Sequence, residues 1–201
     1  MIKNEELMNF YFNTGKFNYP SVIGYVMNEI RKCKPLTLNE WRIYYIVNVR
    51  SEEFLIDLSK RMHDYIPEPN RNSISSNDCL IYIQDVIFRR TFDGFNKENE
   101  ALPILKRILS CDVEFSPKEW DGEYFIDFVI TNPLVGIQLK PDTFYSGGYD
   151  KKVNISAKLK NFERDFNAKT YILIYTREES GKIRIINYDI VEEIKKYIHS
   201  N

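Results

Sequence analysis

The sequence predicts an α+β fold whose N-terminal half is helical. Two observations support this prediction. Apolar residues recur at helical spacing over residues 1–90, whereas from residue 113 onward short β-branched and aromatic runs alternate with Pro, Gly and Asn. From Glu98 the predicted order of elements is helix, three-stranded meander, helix and strand. We therefore divide the 201-residue chain into a helical region, residues 1–90, and a mixed region, residues 91–201.

Helices in the first region are marked by apolar stripes and by capping residues. The segment from Tyr19 to Cys33 carries one stripe and is predicted as a single helix. Thr37 and Glu40 form a T-x-x-E capping box ahead of the next helix, and Ser51 is the predicted cap of the one after it. Two prolines with several Asn and Ser predict a loop over residues 67–77. The last helix of the region is predicted to begin at Asn77.

The mixed region is predicted from shorter runs. A helix over residues 98–109 has one apolar face, and Pro103 is expected to be tolerated only in its first turn. Breaks at Pro117, at Asp121-Gly122 and at Asn132-Pro133 separate the three strands of the meander, residues 113–115, 124–130 and 135–139. There follow a helix through Ile155, Leu159, Phe162 and Phe166, strands over 171–175 and 183–186, and a helix from Ile190.

Composition limits the classes of protein to which this chain can belong. Hydrophobic residues make up 43% of the chain, which is enough for a core, and no apolar run is long enough to cross a membrane. The N-terminal residues lack the layout of a signal peptide, so we expect a cytoplasmic protein with no membrane partner. The three cysteines are unpaired in spacing, and only two histidines are present. These counts argue against disulfides, zinc hydrolases, Ser-His triads and nucleases that use a placed imidazole.

Charge is informative locally and not globally. The formal net charge is −1, which does not indicate a polyanionic partner. From Gln138 to Arg177, however, eight Lys or Arg stand against four Asp or Glu. Most such runs are solvated faces. This run matters because of the residues at which it begins.

Three polar residues are predicted to meet on two strands of the meander. Asp127 lies within the second strand, and Gln138 and Lys140 follow on the third. Residues two apart on a strand share one face, so Gln138 and Lys140 point to the same side. A hairpin through Asn132-Pro133 would bring Asp127 beside them. A carboxylate, an amide oxygen and an ammonium group would then converge at the edge of the sheet.

Such a group suits hydrolysis of a phosphodiester. Carboxylate and amide oxygens are hard ligands for Mg²⁺, which acidifies a bound water and offsets negative charge in the transition state. In this interpretation Asp127 is the primary metal ligand, Gln138 supplies a neutral oxygen or orients water, and Lys140 is the electrostatic partner. The spacing by itself is a weak motif, because a strand-end Asp and an exposed Q-x-K are common in proteins of other function.

The order of elements around these residues resembles a known family. Asp127-x10-Gln138-x-Lys140, framed by helix, meander, helix and strand, is similar to the catalytic core of PD-(D/E)XK nucleases, an α/β/α restriction-endonuclease-like core. Within that superfamily the chain most resembles the MjaI type of type II restriction endonucleases over residues 89–176. The matching strings are Arg90-Thr91-Phe92-Asp93-Gly94 followed by Glu98, and Gly136-Ile137-Gln138-Leu139-Lys140-Pro141. Two departures are Ile126 in place of proline and Gln138 in place of the usual acid.

The resemblance implies a function and a set of roles. It implies a site-specific deoxyribonuclease, a hydrolase of a restriction system, that cuts a short palindrome such as CTAG in double-stranded DNA. Its cofactor would be Mg²⁺, with Mn²⁺ as a substitute. The catalytic residues would be Asp127, Gln138, Lys140 and Glu98, of which Asp127, Gln138 and Glu98 would bind the metal. The protein would act as a homodimer, and residues 1–90 would supply the dimer interface and part of a DNA clamp.

Contacts to DNA are expected around the helix after the active-site strand. Lysines near its start suit phosphate contact, and the glycine loop from Tyr145 to Tyr149 permits close backbone approach. The candidate DNA-binding residues are Arg90, Tyr149, Lys151, Lys152, Lys158 and Lys160. Arg90 could instead form an ion pair with Asp93.

Two other functions remain open at this point. The chain could be a repair or phage nuclease of the same fold. It could also be a non-catalytic DNA-binding or interaction protein that kept the fold and lost its metal. The retention of three polar residues within apolar strands argues mildly against such a loss.

Overall fold

The computed structural model describes residues 4–146 and 149–200, without the side chains of residues 118, 145, 146 and 149–152. The chain divides into two compact units, residues 1–96 and 97–201, and each is considered by itself. The predicted α+β class with a helical N-terminal half is confirmed. Within the described ranges, no helix is both long and apolar enough to cross a lipid bilayer.

The first unit is built from helices around one apolar core. They are α1 (Glu5–Thr14), α2 (Pro20–Ile23), α3 (Val26–Cys33), α4 (Leu38–Asn48), α5 (Glu52–Tyr65), α6 (Glu68–Arg71) and α7 (Ser76–Gln84). A π-helical segment, Asp85–Arg90, leads from α7 into α8, Thr91–Leu109. Two fully buried rings on α4 anchor this unit through polar groups. Trp41 Nε1 donates to the carbonyl of Ile87 at 2.9 Å, and the Tyr45 hydroxyl donates to the carbonyl of Ile23 at 2.8 Å.

The helix boundaries of this unit agree only in part with the sequence patterns. Thr37 and Ser51 cap α4 and α5 as predicted, each accepting from a backbone N–H three residues on. The single helix predicted from Tyr19 to Cys33 is wrong, because Gly24 adopts a positive φ of 79° and separates α2 from α3. The predicted cap Asn77 is also wrong: Ser75 caps α7 and forms a reciprocal capping box with Asp78.

The second unit contains a five-stranded sheet in the order β1-β2-β3-β4-β5. Its strands are β1 (Glu114–Phe115), β2 (Phe128–Thr131), β3 (Leu134–Pro141), β4 (Lys169–Arg177) and β5 (Ile183–Ile185). Strands β3 and β4 are parallel, and the other neighbours are antiparallel. The connecting elements are α9 (Lys118–Tyr124), a 3-10 turn (Asp142–Ser146), α10 (Tyr149–Phe166) and α11 (Tyr188–Ser200).

The predicted meander is confirmed as β1-β2-β3, with two corrections. A helix, α9, stands between β1 and β2, where Asp121-Gly122 had been interpreted as a turn. Its Trp120 and Tyr124 are four residues apart and pack on Phe162 with ring centroids 5.0 and 5.6 Å away, which stabilises a helix at that position. Strand β2 consequently begins at Phe128 and not at residue 124.

A separate correction concerns α8, the helix before the meander. This helix begins at Thr91 and not at Glu98, so Pro103 lies in its interior and not in its first turn. The apolar stripe that predicted the helix is nevertheless buried, since Ala101, Leu105 and Leu109 all lie in the core of the second unit.

Helices cover the sheet on both faces. Ile137 and Leu139 of β3 pack in one cluster with Leu105 of α8 and Ile194 of α11. On the opposite face, residues of α9 and α10 pack against the sheet in a smaller cluster, which contains Tyr124, Ile126, Val129, Leu159 and Phe162. Since Gln138 alternates with Ile137 and Leu139, its side chain lies on the α9–α10 face.

Candidate active site

Asp127 is held by backbone hydrogen bonds to the strands on both sides. Its N–H donates to the carbonyl of Ile137 at 2.9 Å, and its carbonyl accepts from the N–H of Ser116 at 3.0 Å. Asp127 was predicted to lie within β2, but it lies immediately before that strand. Its backbone hydrogen bonds nevertheless continue the register of the β1–β2–β3 ladder. The chain reaches this position from α9 through Phe125 in the left-handed conformation, φ 61°. The carboxylate is buried, with 7% of the residue exposed.

The Asp127 carboxylate and the Gln138 amide are in direct contact. Asp127 Oδ2 accepts from Gln138 Nε2 at 3.3 Å and from the N–H of Leu139 at 2.7 Å. Among the described residues, no donor reaches Asp127 Oδ1. Gln138 Oε1 is buried and likewise has no hydrogen-bond partner in that part of the chain. A buried acceptor without a donor costs about 1–3 kcal/mol, so this oxygen calls for a further group at the site.

Lys140 lies on the same face of β3 as Gln138 and is half-buried. Burial lowers the pKa of its ammonium group below the ordinary value, and the nearby Asp127 carboxylate opposes this shift. The described residues give Lys140 no carboxylate partner within ion-pair distance. Within the described ranges, the Lys140 side chain is thus a partly desolvated cation that interacts with the Asp127 carboxylate but has no fixed ion-pair partner.

Glu98 comes from α8 and is 5% exposed. Its charge raises the pKa of Lys140, which places the two side chains within electrostatic range of each other. The structure therefore puts Asp127 and Gln138 in contact and Lys140 on the same face of β3, whereas Glu98 is linked to them through its electrostatic effect on Lys140. Their chemical roles remain predictions.

Two further charged residues were missed by the sequence analysis. Asp121 on α9 and Lys97 on α8 also act on the pKa of Lys140, in opposite directions. Asp121 was missed because its Asp-Gly pair is typical of a turn, whereas the i, i+4 aromatic pair around it was the signal for a helix. Lys97 was missed because the predicted helix began one residue after it.

The donor set fits a hard divalent cation. Asp127 Oδ1 and Gln138 Oε1 belong to side chains in contact, and both are oxygen donors of the type that Mg²⁺ prefers. No three His, Cys, Asp or Glu side chains in the described ranges converge closely enough to form a metal site. Any cation held here would therefore have few protein ligands, as suits Mg²⁺, which usually keeps several of its waters.

The candidate DNA-binding residues lie in different environments. Lys158 and Lys160 are on α10, and Lys158 Nζ lies 5.9 Å from the ring centroid of Phe125, two residues before Asp127. Arg90 belongs to the first unit and pairs with Asp85 at 2.6 Å and Glu5 at 2.7 Å, so the alternative pairing with Asp93 is wrong. The side chains of Tyr149, Lys151 and Lys152 fall outside the described part of the structure.

Comparison with known proteins identifies a family. A family model described as MjaI restriction endonuclease matches residues 5–195, which is nearly the whole chain and includes both units. Neither curated proteins nor solved structures gave a match. The matched range contains Asp127, Gln138 and Lys140, and it extends well beyond residues 89–176, whose motifs resemble the family. The chain therefore belongs to the MjaI restriction endonuclease family, a family of type II restriction endonucleases.

Proposed function

We propose that the chain hydrolyses phosphodiester bonds of double-stranded DNA in a Mg²⁺-dependent reaction at the Asp127–Gln138–Lys140 site. The observation that carries this proposal is the buried contact between Asp127 and Gln138, which leaves Gln138 Oε1 without a donor among the described residues. An oxygen left in this state in a folded protein is costly unless a cation or an ordered water satisfies it.

Each residue has a role that follows from its chemistry. Asp127 Oδ1 and Gln138 Oε1 would hold the metal, and Glu98 would bind it or a water in its shell. Bound Mg²⁺ would supply Lewis acidity and a water of lowered pKa. Lys140 would place a positive charge beside the phosphate, where negative charge increases in the transition state. Its partial desolvation strengthens that interaction, because water screens the charge less.

The substrate is inferred from the family and from symmetry. Cutting both strands of a palindrome calls for two copies of a site related by a two-fold axis. We assign one catalytic site to each chain, so we infer a homodimer acting on a short palindrome, with CTAG as the first site to test. Sedimentation of the protein with and without a duplex would measure the number of chains bound per site.

The decisive experiment is digestion of unmethylated phage DNA with Mg²⁺. Parallel reactions use EDTA, Mn²⁺ in place of Mg²⁺, the Lys140→Ala variant and the Lys169→Ala variant. Lys169 is a matched control because it is exposed and lies at the opposite end of the parallel β3–β4 pair from Lys140. We expect discrete fragments with Mg²⁺ or Mn²⁺ and with Lys169→Ala, and intact DNA with EDTA or Lys140→Ala.

The other outcomes separate the competing functions. Discrete fragments identify the recognition site from their ends. Cutting only at damaged or branched DNA would indicate a repair or phage nuclease. Intact DNA under Mg²⁺ and Mn²⁺, together with tight binding, would contradict the proposal and favour a DNA-binding protein that has lost catalysis.

A further inference from the structure

Ser116 is a buried polar residue beside the candidate active site, and it has no role in the function proposed above. It follows directly after β1, and 5% of the residue is exposed. Its N–H donates to the carbonyl of Asp127 at 3.0 Å, which continues the β1–β2 register by one residue. The β2–β3 register, continued in the same way, places Asp127 beside Gln138. Ser116, Asp127 and Gln138 therefore lie in one row across three neighbouring strands.

The side chain of Ser116 lies on the same face of the sheet as the Gln138 amide. Phe115 packs on Phe128 with ring centroids 5.7 Å apart, in the cluster on the α8–α11 face. Successive residues of an extended chain point to opposite faces, so Ser116 faces the α9–α10 side, as Gln138 does. The Asp127 carboxylate, which contacts Gln138, stands between the two in the row. Neighbours across such a row have Cβ atoms about 4.5–5.5 Å apart, so the hydroxyl lies one strand from the carboxylate.

Ser116 does not have the structural role that is usual for a serine ahead of a helix, which is to cap it. Helix α9 has Pro117 as its N-cap, and no side-chain hydrogen bond caps its first turn. The Ser116 hydroxyl instead donates to the carbonyl of Pro117 at 3.1 Å. That carbonyl already accepts from the N–H groups of Trp120 and Asp121. The start of α9 therefore does not explain why a hydroxyl group is buried here.

The hydroxyl oxygen of Ser116 can still accept a hydrogen bond. A hydroxyl has one hydrogen to donate and two lone pairs that accept, and donation to Pro117 uses only the hydrogen. Among the described residues, no donor reaches Ser116 Oγ. Gln138 Oε1 and Asp127 Oδ1 likewise have no donor there. Three oxygens with unused lone pairs in one buried row suit a hydrated cation, whose waters donate in several directions.

We propose that Ser116 is a positioning residue of the metal site, and that its hydroxyl oxygen accepts a hydrogen bond from a water of the cation held by Asp127 and Gln138. The inference rests on the proposed function for the presence of that cation. Such a water is a strong donor, because the cation draws charge from its oxygen. Ser116 thereby strengthens the binding of the cation and fixes the orientation of the water.

The test is the stabilisation of the folded chain by Mg²⁺, which requires no DNA. Thermal unfolding is followed at increasing Mg²⁺ for the unsubstituted chain, Ser116→Ala, Ser116→Thr and Ser59→Ala. Ser59 is the matched control, since it is 3% exposed and its hydroxyl also donates to a backbone carbonyl, that of Ile56 at 2.7 Å, but in the first unit. Unfolding in EDTA verifies that each variant is folded before the metal is added.

Loss of a hydrogen bond to the shell of the cation predicts weaker binding of the metal. The Mg²⁺ concentration that gives a chosen rise of the unfolding temperature should be about 10-fold higher for Ser116→Ala, the lower end of the effect of such outer contacts. Ser116→Thr keeps the hydroxyl and should need the same concentration as the unsubstituted chain. Ser59→Ala should need that concentration too, although its unfolding temperature in EDTA may be lower by a constant amount.

Three results would overturn the inference. They are an equal Mg²⁺ requirement for Ser116→Ala and the unsubstituted chain, an equal increase for Ser116→Ala and Ser59→Ala, and a folded Ser116→Thr that loses as much as Ser116→Ala. Cleavage of DNA is scored separately. If the unsubstituted chain cuts while Ser116→Ala needs no more Mg²⁺, this inference fails and the proposed function stands. A chain that binds Mg²⁺ with the expected dependence on Ser116 but never cuts would refute the proposed nuclease function and still support the role of Ser116.

Discussion

Gln138 is the residue at which this site departs from an acidic metal centre. Its amide serves two purposes, because Nε2 donates to Asp127 while Oε1 remains available to a ligand. A glutamate at this position would have no donor for Asp127, and two buried carboxylates would face each other. Gln138→Glu would therefore increase the negative charge available to a metal. It would also raise the electrostatic free energy of the folded protein when no cation is bound.

Gln138→Glu should make folding depend on the metal. In chelator we expect the free energy of unfolding to fall by about 1–3 kcal/mol, because a buried hydrogen bond is lost and like charges are brought together. Mg²⁺ should restore stability and raise the unfolding temperature more than it does for the unsubstituted chain. Thermal unfolding with and without Mg²⁺ measures both effects. Equal Mg²⁺ shifts in the two proteins would argue against a metal at this site.

Asp127→Asn separates the chemistry from the fold. Asparagine keeps the size of the side chain and can still accept from the Leu139 N–H, but it lacks the charge. We expect the initial rate of DNA cleavage to fall by about 100-fold or more, since a metal ligand contributes several kcal/mol to the transition state. The unfolding temperature should change little.

The matched control for that variant is Asp112→Asn. Asp112 forms an exposed ion pair with Lys106, so the loss of its charge should leave cleavage unchanged. If Asp112→Asn were as inactive as Asp127→Asn, the loss of activity would have to come from something other than the candidate site.

At the scale of the elements, the N-terminus of α7 shows which of several candidate residues becomes the N-cap. Several residues in the Ser- and Asn-rich stretch before this helix can act as caps. Ser75 takes the role because its hydroxyl accepts from the Asp78 N–H at 3.1 Å while Asp78 Oδ2 accepts from the Ser75 N–H at 2.8 Å. The exposed Asn77 is already inside the first turn.

The two capping assignments predict different effects of substitution. Ser75→Ala should lower the free energy of unfolding by about 1 kcal/mol, because the first turn of α7 loses its acceptor. Asn77→Ala should be within about 0.5 kcal/mol of neutral or stabilising, because alanine favours a helix. Urea unfolding followed by circular dichroism measures both. A larger loss for Asn77→Ala would restore the assignment made from the sequence.

Packing of β3 against α10 depends on a glycine. A Cβ at Gly136 would lie 2.8 Å from Ile126 Cδ1 and 3.1 Å from Phe162 Cε1, both buried. Gly136→Ala should therefore cost about 1–3 kcal/mol of stability through overpacking. Because Ile126 precedes Asp127, cleavage should fall as well.

Gly122 in α9 is the control for this prediction. A Cβ there meets no atom within 4 Å, and Gly122→Ala should stabilise the helix by up to about 1 kcal/mol. Thermal unfolding compares the two variants. A neutral Gly136→Ala would mean that Ile126 and Phe162 move aside without cost.

At the scale of the whole molecule, buried acids of the first unit contribute to the response to alkali. Burial raises the pKa of the Cys79 thiol from its ordinary 9.0 to about 11. Burial also raises the pKa values of Tyr45 and Tyr82. The unfolded chain therefore releases these protons at lower pH than the folded chain does. The contribution of these three groups to the free energy of unfolding is fully present below pH 9 and falls as the pH rises toward the folded pKa values.

Cys79→Ala should reduce this dependence. The variant removes the contribution of the thiol to the pH dependence of the free energy of unfolding, which is on the order of 2 kcal/mol between pH 9 and 11. The pH dependence that comes from the tyrosines should remain. Urea midpoints at pH 7.5, 9 and 10.5 measure the effect, with the pH 7.5 value as the reference for any packing change. A slope equal to that of the unsubstituted chain would mean that Cys79 does not ionise on unfolding.

Local patterns in the sequence were sufficient to predict several features of the fold and of the candidate site. Alternation of apolar and polar residues along β3 put Gln138 and Lys140 on one face, and the hairpin at Asn132-Pro133 brought Asp127 to them. These relations depend on the two-residue period of a strand and on a short turn, both of which involve residues close in the chain. Local patterns likewise predicted the helical character of the N-terminal half and the two helices and two strands that follow residue 148.

Only the tertiary structure decided the rest, because the interactions join residues distant in the chain. Helix α9 forms where a turn signal stands, since Trp120 and Tyr124 pack on Phe162 some forty residues later. Asp121 of this helix and Lys97 of the longer α8 both act electrostatically on the pKa of Lys140. The state of Gln138 Oε1, buried and without a donor among the described residues, likewise follows from how the elements around it pack. The sequence by itself determined which residues form the candidate catalytic set, and long-range packing determined which further charges act on it.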